Sequence, residues 1–377
     1  MDFDLNDDQV AFQQAARTFA DKALAPFAAE WDAGKIFPKD VIAAAGELGF
    51  CGLYCPEDVG GLGLSRLDSS IILEQLATGC TSTTAFISIH NMATWMIADF
   101  GNHSTVEQFC PDLIAGKTLA SYCLTEPGAG SDAASLRTRA ELSGDHYIVN
   151  GSKTFITSGI RADHYTVAVR TGGEGHGGIS LLLIDRDMPG FSTGKKLRKM
   201  GWWASDTAEL FFEDCRVPAD RLIGAENAGF IAIMSNFLFE RLSLAIMAYM
   251  TAQLAYEAAL EYTQQRTAFG RNITGFQVTR HKLVDMATQI DVAREYTYRC
   301  AALMQAGKNP IKEVAMAKNF SVDVCEKVTR EAVQLFGGMG YMRETVVERL
   351  YRDAKILSIG GGTTEIMKEL IAKQIKL

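Results

Sequence analysis

The spacing of apolar and polar residues changes twice along the chain and divides it into three segments. Apolar residues recur every three or four positions in segment 1–118, alternate with polar ones in 119–228, and return to helical spacing in 229–377. The first and third spacings are typical of amphipathic helices, and the second is typical of strands with one buried face. With these boundaries, the sequence predicts an N-terminal all-α domain, a middle antiparallel β-barrel-like domain and a C-terminal helical domain.

Caps and turns place the individual elements. The predicted N-terminal helices are 7–19 with Asn6 as N-cap, 39–47 after Pro38, and 69–77 with Asp68 as N-cap. The predicted strands are 147–150, 164–170, 179–184 and 209–212. The predicted C-terminal helices are 229–266, 276–306, 310–336 and a last helix after Gly360–Gly362. Four helices with short connections predict a four-helix bundle.

Composition narrows the class of protein. Of the 377 residues, 47% are hydrophobic and 22% are charged, and the net charge is 37 − 45 = −8. This balance is that of a soluble globular protein, and the negative charge argues against a nucleic-acid-binding protein. The charge-free stretch 242–256 is too short to cross a membrane, so it predicts a buried helix and no membrane span.

The cysteines and the N-terminus bear on the cellular location. The eight cysteines form no CxxC pair and have no zinc-site spacing with histidine, which predicts free thiols, no metal site and a reducing compartment. Residues Met1–Asp4 are acidic and lack the signature of a signal peptide. We expect the cytoplasm of a bacterium, or the mitochondrial matrix for a processed eukaryotic protein.

Glycine-rich motifs are the first candidates for ligand binding. Gly173–Gly178 fits GxGxxG, but a predicted strand follows it, so it predicts a hairpin loop and not a dinucleotide fingerprint. The loop Thr125–Asp132 could present N–H groups to an anion or a heterocycle, or be a surface turn. Gly360–Glu365 allows close approach of a ligand before the last helix, or is a linker capped by Thr363. The basic run Lys195–Lys199 predicts a solvated strand or loop.

Glu240 is the candidate for acid–base chemistry. On a helix its neighbours three and four positions away include Phe237, Ser243 and Leu244. A carboxylate on so apolar a face loses hydration, which raises its pKa and suits a general base. The alternative is a carboxylate at the edge of the face, paired with Arg241 or with solvent.

The motifs taken together resemble the acyl-CoA dehydrogenase family of flavoproteins over nearly the whole chain. The resemblance is closest to the branch of the long-chain and isovaleryl-CoA dehydrogenases. The motifs that carry it are Leu124–Asp132, Gly151–Thr157, Arg266–Gly270, Gln334–Tyr341 and Gly362–Ile366, in this order. The fold of that family is a helical domain, a β domain and a C-terminal four-helix bundle, the order predicted above.

The resemblance implies FAD as the cofactor. It assigns the isoalloxazine contacts to Tyr122, Leu124, Thr125, Gly130, Ser131, Phe155, Ile156 and Thr157, with Phe155 where many members have Trp. Other FAD contacts, partly across a subunit interface, fall to Arg266, Phe269, Gln277, Gln334, Leu335, Phe336, Gly337 and Gly338. Thr363, Thr364 and Glu365 complete the flavin site, and the acyl-CoA contacts are Ser131, Leu238, Phe239, Arg241, Gly361 and Gly362.

The position of the base departs from most of the family. Many members carry the catalytic Glu just before the C-terminal Gly-Thr, where this chain has Gly361. The long-chain and isovaleryl-CoA branch places it in a Glu-Arg-Leu sequence on a bundle helix, and Glu240-Arg241-Leu242 matches that sequence. The resemblance therefore implies that Glu240 takes the α-proton of an acyl-CoA while the β-hydrogen leaves as hydride to the flavin N5.

The implied activity is oxidation of a saturated acyl-CoA to the trans-2-enoyl-CoA, as in fatty acid β-oxidation. An electron-transferring flavoprotein would accept the electrons, and the implied assembly is a homotetramer. We expect medium or long acyl chains, with methyl branches allowed. The alternatives are an acyl-CoA oxidase or related flavin monooxygenase, and a non-catalytic acyl-CoA-binding protein suggested by the missing Glu at Gly361.

Overall fold

The computed structural model describes residues 5–377, which form eleven α-helices and ten strands. The N-terminal helices are α1 (Asp7–Phe19), α2 (Ala28–Gly34), α3 (Lys39–Glu47), α4 (Arg66–Gly79), α5 (Thr81–Phe100) and α6 (His103–Ile114). Asn6 caps α1, as predicted: its side chain accepts from Gln9 N at 2.8 Å, and Gln9 Oε1 accepts from Asn6 N at 3.1 Å.

The predicted cap of α4 is wrong. Ser65, not Asp68, is the N-cap, and its Oγ accepts from Asp68 N at 3.1 Å. The Ser65 hydroxyl also donates to Asp68 Oδ2 at 2.7 Å. Asp68 is the third residue of the helix and forms both hydrogen bonds with the cap residue Ser65. The helix therefore begins about one turn earlier than predicted.

The middle segment is one eight-stranded sheet. Its strands are β1 (Ala120–Cys123), β2 (Arg139–Ser143), β3 (His146–Thr157), β4 (His164–Arg170), β5 (Ile179–Asp185), β6 (Phe191–Thr193), β7 (Thr207–Pro218) and β8 (Leu222–Ile223). The order is β6-β7-β3-β2-β4-β5-β8, with β1 also paired to β4. The sheet is open and not barrel-like, because the short strands β6 and β8 end it without pairing to each other. It is mostly antiparallel, with parallel pairs at β1–β4 and β2–β4.

Two predicted loops of the β segment are confirmed. Gly173–Gly178 lies in the turn between the antiparallel strands β4 and β5, so it is a hairpin loop. Lys195–Lys199 has no regular secondary structure.

The C-terminal segment begins with the longest helix. It comprises α7 (Gly229–Gln265), a short hairpin of β9 (Thr267–Ala268) and β10 (Arg271–Asn272), α8 (Gln277–Gln305), α9 (Ile311–Phe336), α10 (Val346–Ala354) and α11 (Thr364–Gln374). Of these elements, α10 and the two strands β9 and β10 were not predicted. Helix α7 is long and apolar enough to cross a membrane by length and composition, but 56% of its most apolar window is buried inside the protein. It packs against α4, α5, α8 and α9, as a core helix does.

Buried polar contacts join the segments. Arg352 of α10 binds Asp32 of α2 at 2.6 Å, and Glu74 of α4 accepts from Tyr249 of α7 at 2.5 Å. The changes from helix to strand after α6 and back to helix at α7 support the proposed division at 118 and 228. All eight cysteines are buried free thiols, as predicted.

Candidate active site

Glu240 lies in the first half of α7 with its carboxylate turned into the protein. Its Oε2 is buried and has no hydrogen-bond partner among the described residues. Burial raises the pKa of Glu240 to about 7, against the opposing charges of Arg241 and Lys318. A carboxyl group with this pKa exchanges its proton near neutral pH, which suits a general base. The pairing with Arg241 that the sequence left open is absent, because Arg241 Nε donates to Gly361 O and forms no ion pair with Glu240.

The loop before α11 lies directly against this carboxylate. A Cβ added at Gly361 would stand 3.5 Å from Glu240 Oε1, so a side chain at position 361 would point to the same place. The same Cβ would lie only 2.5 Å from Leu244 Cδ1, and Gly361 has a φ of +63°. Any residue other than glycine at position 361 would therefore strain the backbone and clash with Leu244, which lies one helical turn after Glu240.

Backbone carbonyls of this loop are held by cations. Lys318 of α9 is only 1% exposed, and its Nζ donates to Gly360 O at 2.6 Å and to Gly362 O. Arg241 Nε donates to Gly361 O at 3.1 Å. Three successive carbonyls are thus fixed by side chains from the two central helices of the bundle.

Aromatic rings form the wall beyond Glu240. Tyr54 packs edge-on against Phe239 at 5.2 Å between ring centroids and against Trp95 at 6.3 Å. The Arg66 guanidinium lies 3.6 Å from the centroid of the Tyr54 ring, and its Nη1 is buried without a partner. Burial raises the pKa of Tyr54, with a smaller contribution from the charge of Glu240, and Phe239 directly precedes Glu240 in α7. The wall next to Glu240 is therefore made mainly of aromatic rings, with the Arg66 guanidinium among them.

A buried ion pair shapes the Thr125–Asp132 loop. Glu126 and Ala129 exchange two backbone hydrogen bonds across a tight Pro127-Gly128 turn. The Glu126 carboxylate binds Lys153 Nζ at 2.8 Å. Lys153 also donates to Leu124 O at 3.1 Å. The loop is therefore an ordered structure anchored to β3, not a free surface turn.

Strand β3 presents an exposed aromatic side chain beside this loop. Its pairing with β7 shifts register between Lys153 and Ile156, and Phe155 in the bulge has a φ of +57° and is 69% exposed. A positive φ at a bulky residue is strained, and such strain clusters at binding sites. Thr154 N donates to Thr125 O at 2.9 Å, which keeps the bulge beside the loop. An exposed ring on a rigid, strained strand fits the flat isoalloxazine that the family resemblance implies.

The predicted site residues separate into two groups. The first comprises residues 122–131 and 155–157, linked by the bond from Thr154 N to Thr125 O, and residues 238–241 and 361–365, linked by the bond from Arg241 Nε to Gly361 O. Within it Tyr122 has a buried hydroxyl without a partner, and the charge of Glu240 helps to raise its pKa well above the usual value. Thr363 is the N-cap of α11, and Glu365 is exposed in its first turn.

The second group lies at the far end of the bundle. Its predicted members are Arg266, Phe269, Gln277 and Gln334–Gly338. Arg266 follows Glu240 by 26 residues of helix (266 − 240), about 39 Å at 1.5 Å per residue. Phe269 is 95% exposed there, and Phe336 stacks on Tyr262 at 4.2 Å. A flavin ring beside Glu240 does not reach this group within the same chain.

Three contributors to the site were not predicted from the sequence: Lys318, the Glu126–Lys153 pair and Tyr54. For Lys318 a signal was present, because it lies four residues after Val314 and four before Val322 on an apolar helix face. A single lysine on that apolar face is expected to be buried and therefore needs a hydrogen-bond or ion-pair partner. The contacts of Glu126 and Tyr54 are with residues distant in the sequence, so the local spacing of residues does not predict them.

A cleft lies on the β-sheet side, and Glu240 is not among the residues that line it. It has a volume of about 880 Å³ and begins at Asp132, directly after Ser131. Arginines and carboxylates both line it, among them Arg137 and Glu174. An extended ligand that passes Ser131 would enter it.

Comparison with known proteins gives consistent matches along the chain. Three family models match it: the acyl-CoA dehydrogenase N-terminal domain at residues 6–117, the middle domain at 121–215 and the C-terminal domain at 227–376. The mitochondrial isobutyryl-CoA dehydrogenase of Dictyostelium discoideum is 46% identical over 98% of this chain and 90% of its own length. The mitochondrial long-chain specific acyl-CoA dehydrogenase of Rattus norvegicus is 38% identical over 97% and 85%.

Solved structures share the whole fold. The structure of PigA with FAD and proline is 27% identical, with a TM-score of 0.97 and full coverage of both chains. Relatives of the chain occur among bacterial enzymes as well as mitochondrial ones.

Proposed function

The chain belongs to the acyl-CoA dehydrogenase family, and we propose that it converts a saturated acyl-CoA to the trans-2-enoyl-CoA with Glu240 as the base. The matches confirm the predicted family and the predicted class of enzyme. One observation carries the assignment of the base: the unpartnered, buried carboxylate of Glu240 occupies the place to which a side chain at Gly361 would point.

Proton removal requires both a base and hydrogen-bond donors that stabilise the negative charge developing on the thioester oxygen. A C–H next to a thioester is weakly acidic, so general-base catalysis alone is insufficient. In the proposed complex the α-carbon lies against Glu240. The thioester oxygen accepts from backbone N–H groups at Gly361 and Gly362.

The aromatic wall keeps water from the carboxylate. Tyr54, Phe239 and Trp95 pack against one another beside it. Exclusion of water strengthens the hydrogen bonds to the substrate and keeps the pKa of Glu240 near neutrality.

FAD, when bound, supplies the acceptor for the β-hydrogen. The residues proposed to hold its ring system are Thr125, Phe155, Thr157 and Thr363. Two observations support this set: Thr125 O accepts from Thr154 N of β3, and Thr363 caps α11. Phe155 would cover the ring, and the loop anchored by Glu126 and Lys153 would lie beside it.

We propose that a second copy of the chain supplies the remaining cofactor contacts. Arg266, Gln277 and Gln334 lie too far from Glu240 to reach the same ring, and exposed apolar side chains such as Phe269 and Tyr341 surround them. A homotetramer of the family type would bring this end of one chain to the flavin of another. An electron-transferring flavoprotein is the proposed electron acceptor.

We propose a short, branched acyl group in place of the medium or long chain expected from the sequence, because the bulky rings of Tyr54, Phe239 and Trp95 stand beside Glu240. The name of the 46% identical relative, an isobutyryl-CoA dehydrogenase, agrees with this choice. The CoA portion would pass Ser131 toward the cleft that begins at Asp132.

The test is a panel of isobutyryl-, 2-methylbutyryl-, isovaleryl-, octanoyl- and palmitoyl-CoA. Each is added anaerobically to the FAD-loaded protein, and flavin bleaching and enoyl-CoA product are measured. We expect the branched short chains to be the best substrates, with turnover that needs an artificial electron acceptor. Bleaching by none of them would contradict the function, and turnover sustained by oxygen alone would identify an oxidase.

A further inference from the structure

Lys318 is a buried cation whose hydrogen bonds go only to the glycine loop. Among residues 5–377 it has no ion-pair partner, and both of its acceptors are backbone carbonyls, Gly360 O and Gly362 O. Burying an ammonium group costs free energy unless it is paired and hydrogen-bonded. Nothing in the packing of α9 requires a lysine there, since its neighbours Ala317 and Ser321 are small and buried.

The contacts of Lys318 belong to a set that fixes the loop peptide by peptide. Arg241 holds Gly361 O at 3.1 Å, and Asn319 Nδ2 donates to Thr364 O at 3.1 Å. With the two bonds of Lys318, the carbonyls of Gly360, Gly361, Gly362 and Thr364 all receive side-chain donors from α7 or α9.

The direction of the carbonyls determines the direction of the N–H groups. Every peptide bond among residues 5–377 is trans, and in a trans peptide the C=O of one residue points opposite to the N–H of the next. The N–H groups of Gly361, Gly362 and Thr363 therefore point away from the cations. In the described part of the chain none of the three donates to an acceptor. Successive free N–H groups in a left-handed turn form an anion-binding concavity.

We propose that Lys318 is a positioning residue that holds the glycine loop so that its N–H groups receive the thioester oxygen of the substrate. This inference rests on the proposed function and adds to it a residue on a separate helix. Lys318 does not touch the substrate. It acts through the carbonyls on the opposite side of the same peptides.

The charge of Lys318 has a second consequence at the base. The groups that face Glu240 are Arg241 on its own helix, Lys318 on α9, Tyr54 in the loop before α4 and Tyr122 on β1. The two cations lower the pKa of Glu240, and the tyrosines are neutral near pH 7 because burial raises their pKa values. Burial in turn lowers the pKa of Lys318 to about 8. Loss of the Lys318 charge therefore raises the pKa of Glu240.

The experiment compares Lys318→Met with Lys327→Met in the FAD-loaded protein. Lys327 is a matched control on the same helix, with an exposed contact to Gln289. Binding of isobutyryl-CoA and of S-isobutyl-CoA, a thioether without the carbonyl oxygen, is measured by calorimetry in a Glu240→Gln background that prevents turnover. We expect Lys318→Met to weaken thioester binding by about fivefold, the loss of about one hydrogen bond, and to leave thioether binding unchanged.

Turnover gives a second readout with Glu240 intact. In Lys318→Met, kcat should fall by at least about tenfold, since oxyanion contacts act mainly on the transition state. The low-pH limb of kcat/KM should move to higher pH. Lys318→Arg should restore both, because it keeps the charge and the donors.

Three results would overturn the proposal. They are equal weakening of both ligands, unchanged binding of both, and an unchanged pH profile with full kcat. If Lys318→Met does not fold with FAD, Lys318→Gln replaces it, since it keeps a donor and loses the charge. Failure of the proposed base and failure of this proposal are distinguishable. Flavin reduction in the Glu240→Gln background would contradict the base, whereas the difference between thioester and thioether binding tests Lys318.

Discussion

The surroundings of Glu240 set the pH at which it can accept a proton. Burial raises its pKa to about 7, above the ordinary value for a glutamate. The base works only when it is deprotonated, so activity should rise with pH through about 7. We predict that log kcat/KM falls with a slope near one below that pH, measured with isobutyryl-CoA and an artificial acceptor. A profile flat down to pH 5 would contradict the raised pKa.

Gly361 and Glu240 offer two positions for one carboxylate. In Glu240→Gly, adding Gly361→Glu should return little activity, because the new Cβ meets Leu244 Cδ1 at 2.5 Å and the backbone has a φ of +63°. Adding Leu244→Ala as well removes the clash, and we predict that flavin reduction rises at least tenfold over the double variant, within the roughly 10²-fold or more that a general base contributes. Leu244→Ala in the wild-type background is the control. No gain in the triple variant would argue that the two positions do not address the same proton.

At the scale of elements, the buried pair Glu126–Lys153 joins the loop 125–132 to β3. Both side chains are buried, and Glu126 also accepts from Arg137 N and Thr138 N. Removing one partner of such a pair leaves an uncompensated charge, at a cost of about 3–5 kcal/mol.

We predict that Lys153→Met lowers the free energy of unfolding by about 3 kcal/mol and weakens FAD binding, measured by denaturant unfolding and flavin content. Lys117→Met is the control, because its pair with Asp112 is exposed and should cost less than about 1 kcal/mol. Equal losses in the two variants would show that the buried pair does not stabilise the loop.

The long C-terminal helices were predictable because their signals are local, whereas α2, α5 and α6 and the strands β1, β2, β6 and β8 were not predicted. The long helices α7, α8 and α9 carry uninterrupted helical spacing bounded by glycine or proline, and their predicted ends lie within one residue of the observed ones. Strand β4 was predicted at its observed bounds. The prediction of the α4 cap was wrong because Ser65 and Asp68 both have side chains that can cap a helix. Only the hydrogen bonds between the two residues show that Ser65 is the cap.

The site was less predictable because its contacts are long-range. Glu240 was identified by its sequence neighbours, but the loop that it faces is 121 residues later (361 − 240). The prediction of a barrel-like sheet was also wrong. Whether β6 pairs with β8 depends on the twist and length of the strands, and the alternation of apolar and polar residues does not determine either. Lys318 could have been identified from the sequence as a cation on an apolar helix face. Its acceptors, the carbonyls of Gly360 and Gly362, could not be identified from the sequence.

At the scale of the whole molecule, the two groups of cofactor residues require more than one chain. Arg266 lies about 39 Å from Glu240 along α7 and is proposed to contact the FAD of a neighbouring copy. We predict that Arg266→Ala retains the assembly but loses FAD on gel filtration, since a charge-assisted contact to phosphate is removed. Arg299→Ala, on α8 away from the predicted FAD contacts, is the control for loss of surface charge. Full flavin occupancy at unchanged affinity in Arg266→Ala would contradict the assignment.

The reduction of flavin by substrate in Glu240→Gln tests the central claim most directly. This variant keeps the shape of the side chain and removes the carboxylate, and Glu257→Gln, exposed on the same helix, is the matched control. Both are loaded with FAD and mixed anaerobically with isobutyryl-CoA in a stopped-flow spectrometer. We predict that Glu257→Gln bleaches at the wild-type rate and that Glu240→Gln binds acyl-CoA but bleaches at least about 10²-fold more slowly. Bleaching of Glu240→Gln at a near wild-type rate would show that Glu240 is not the base.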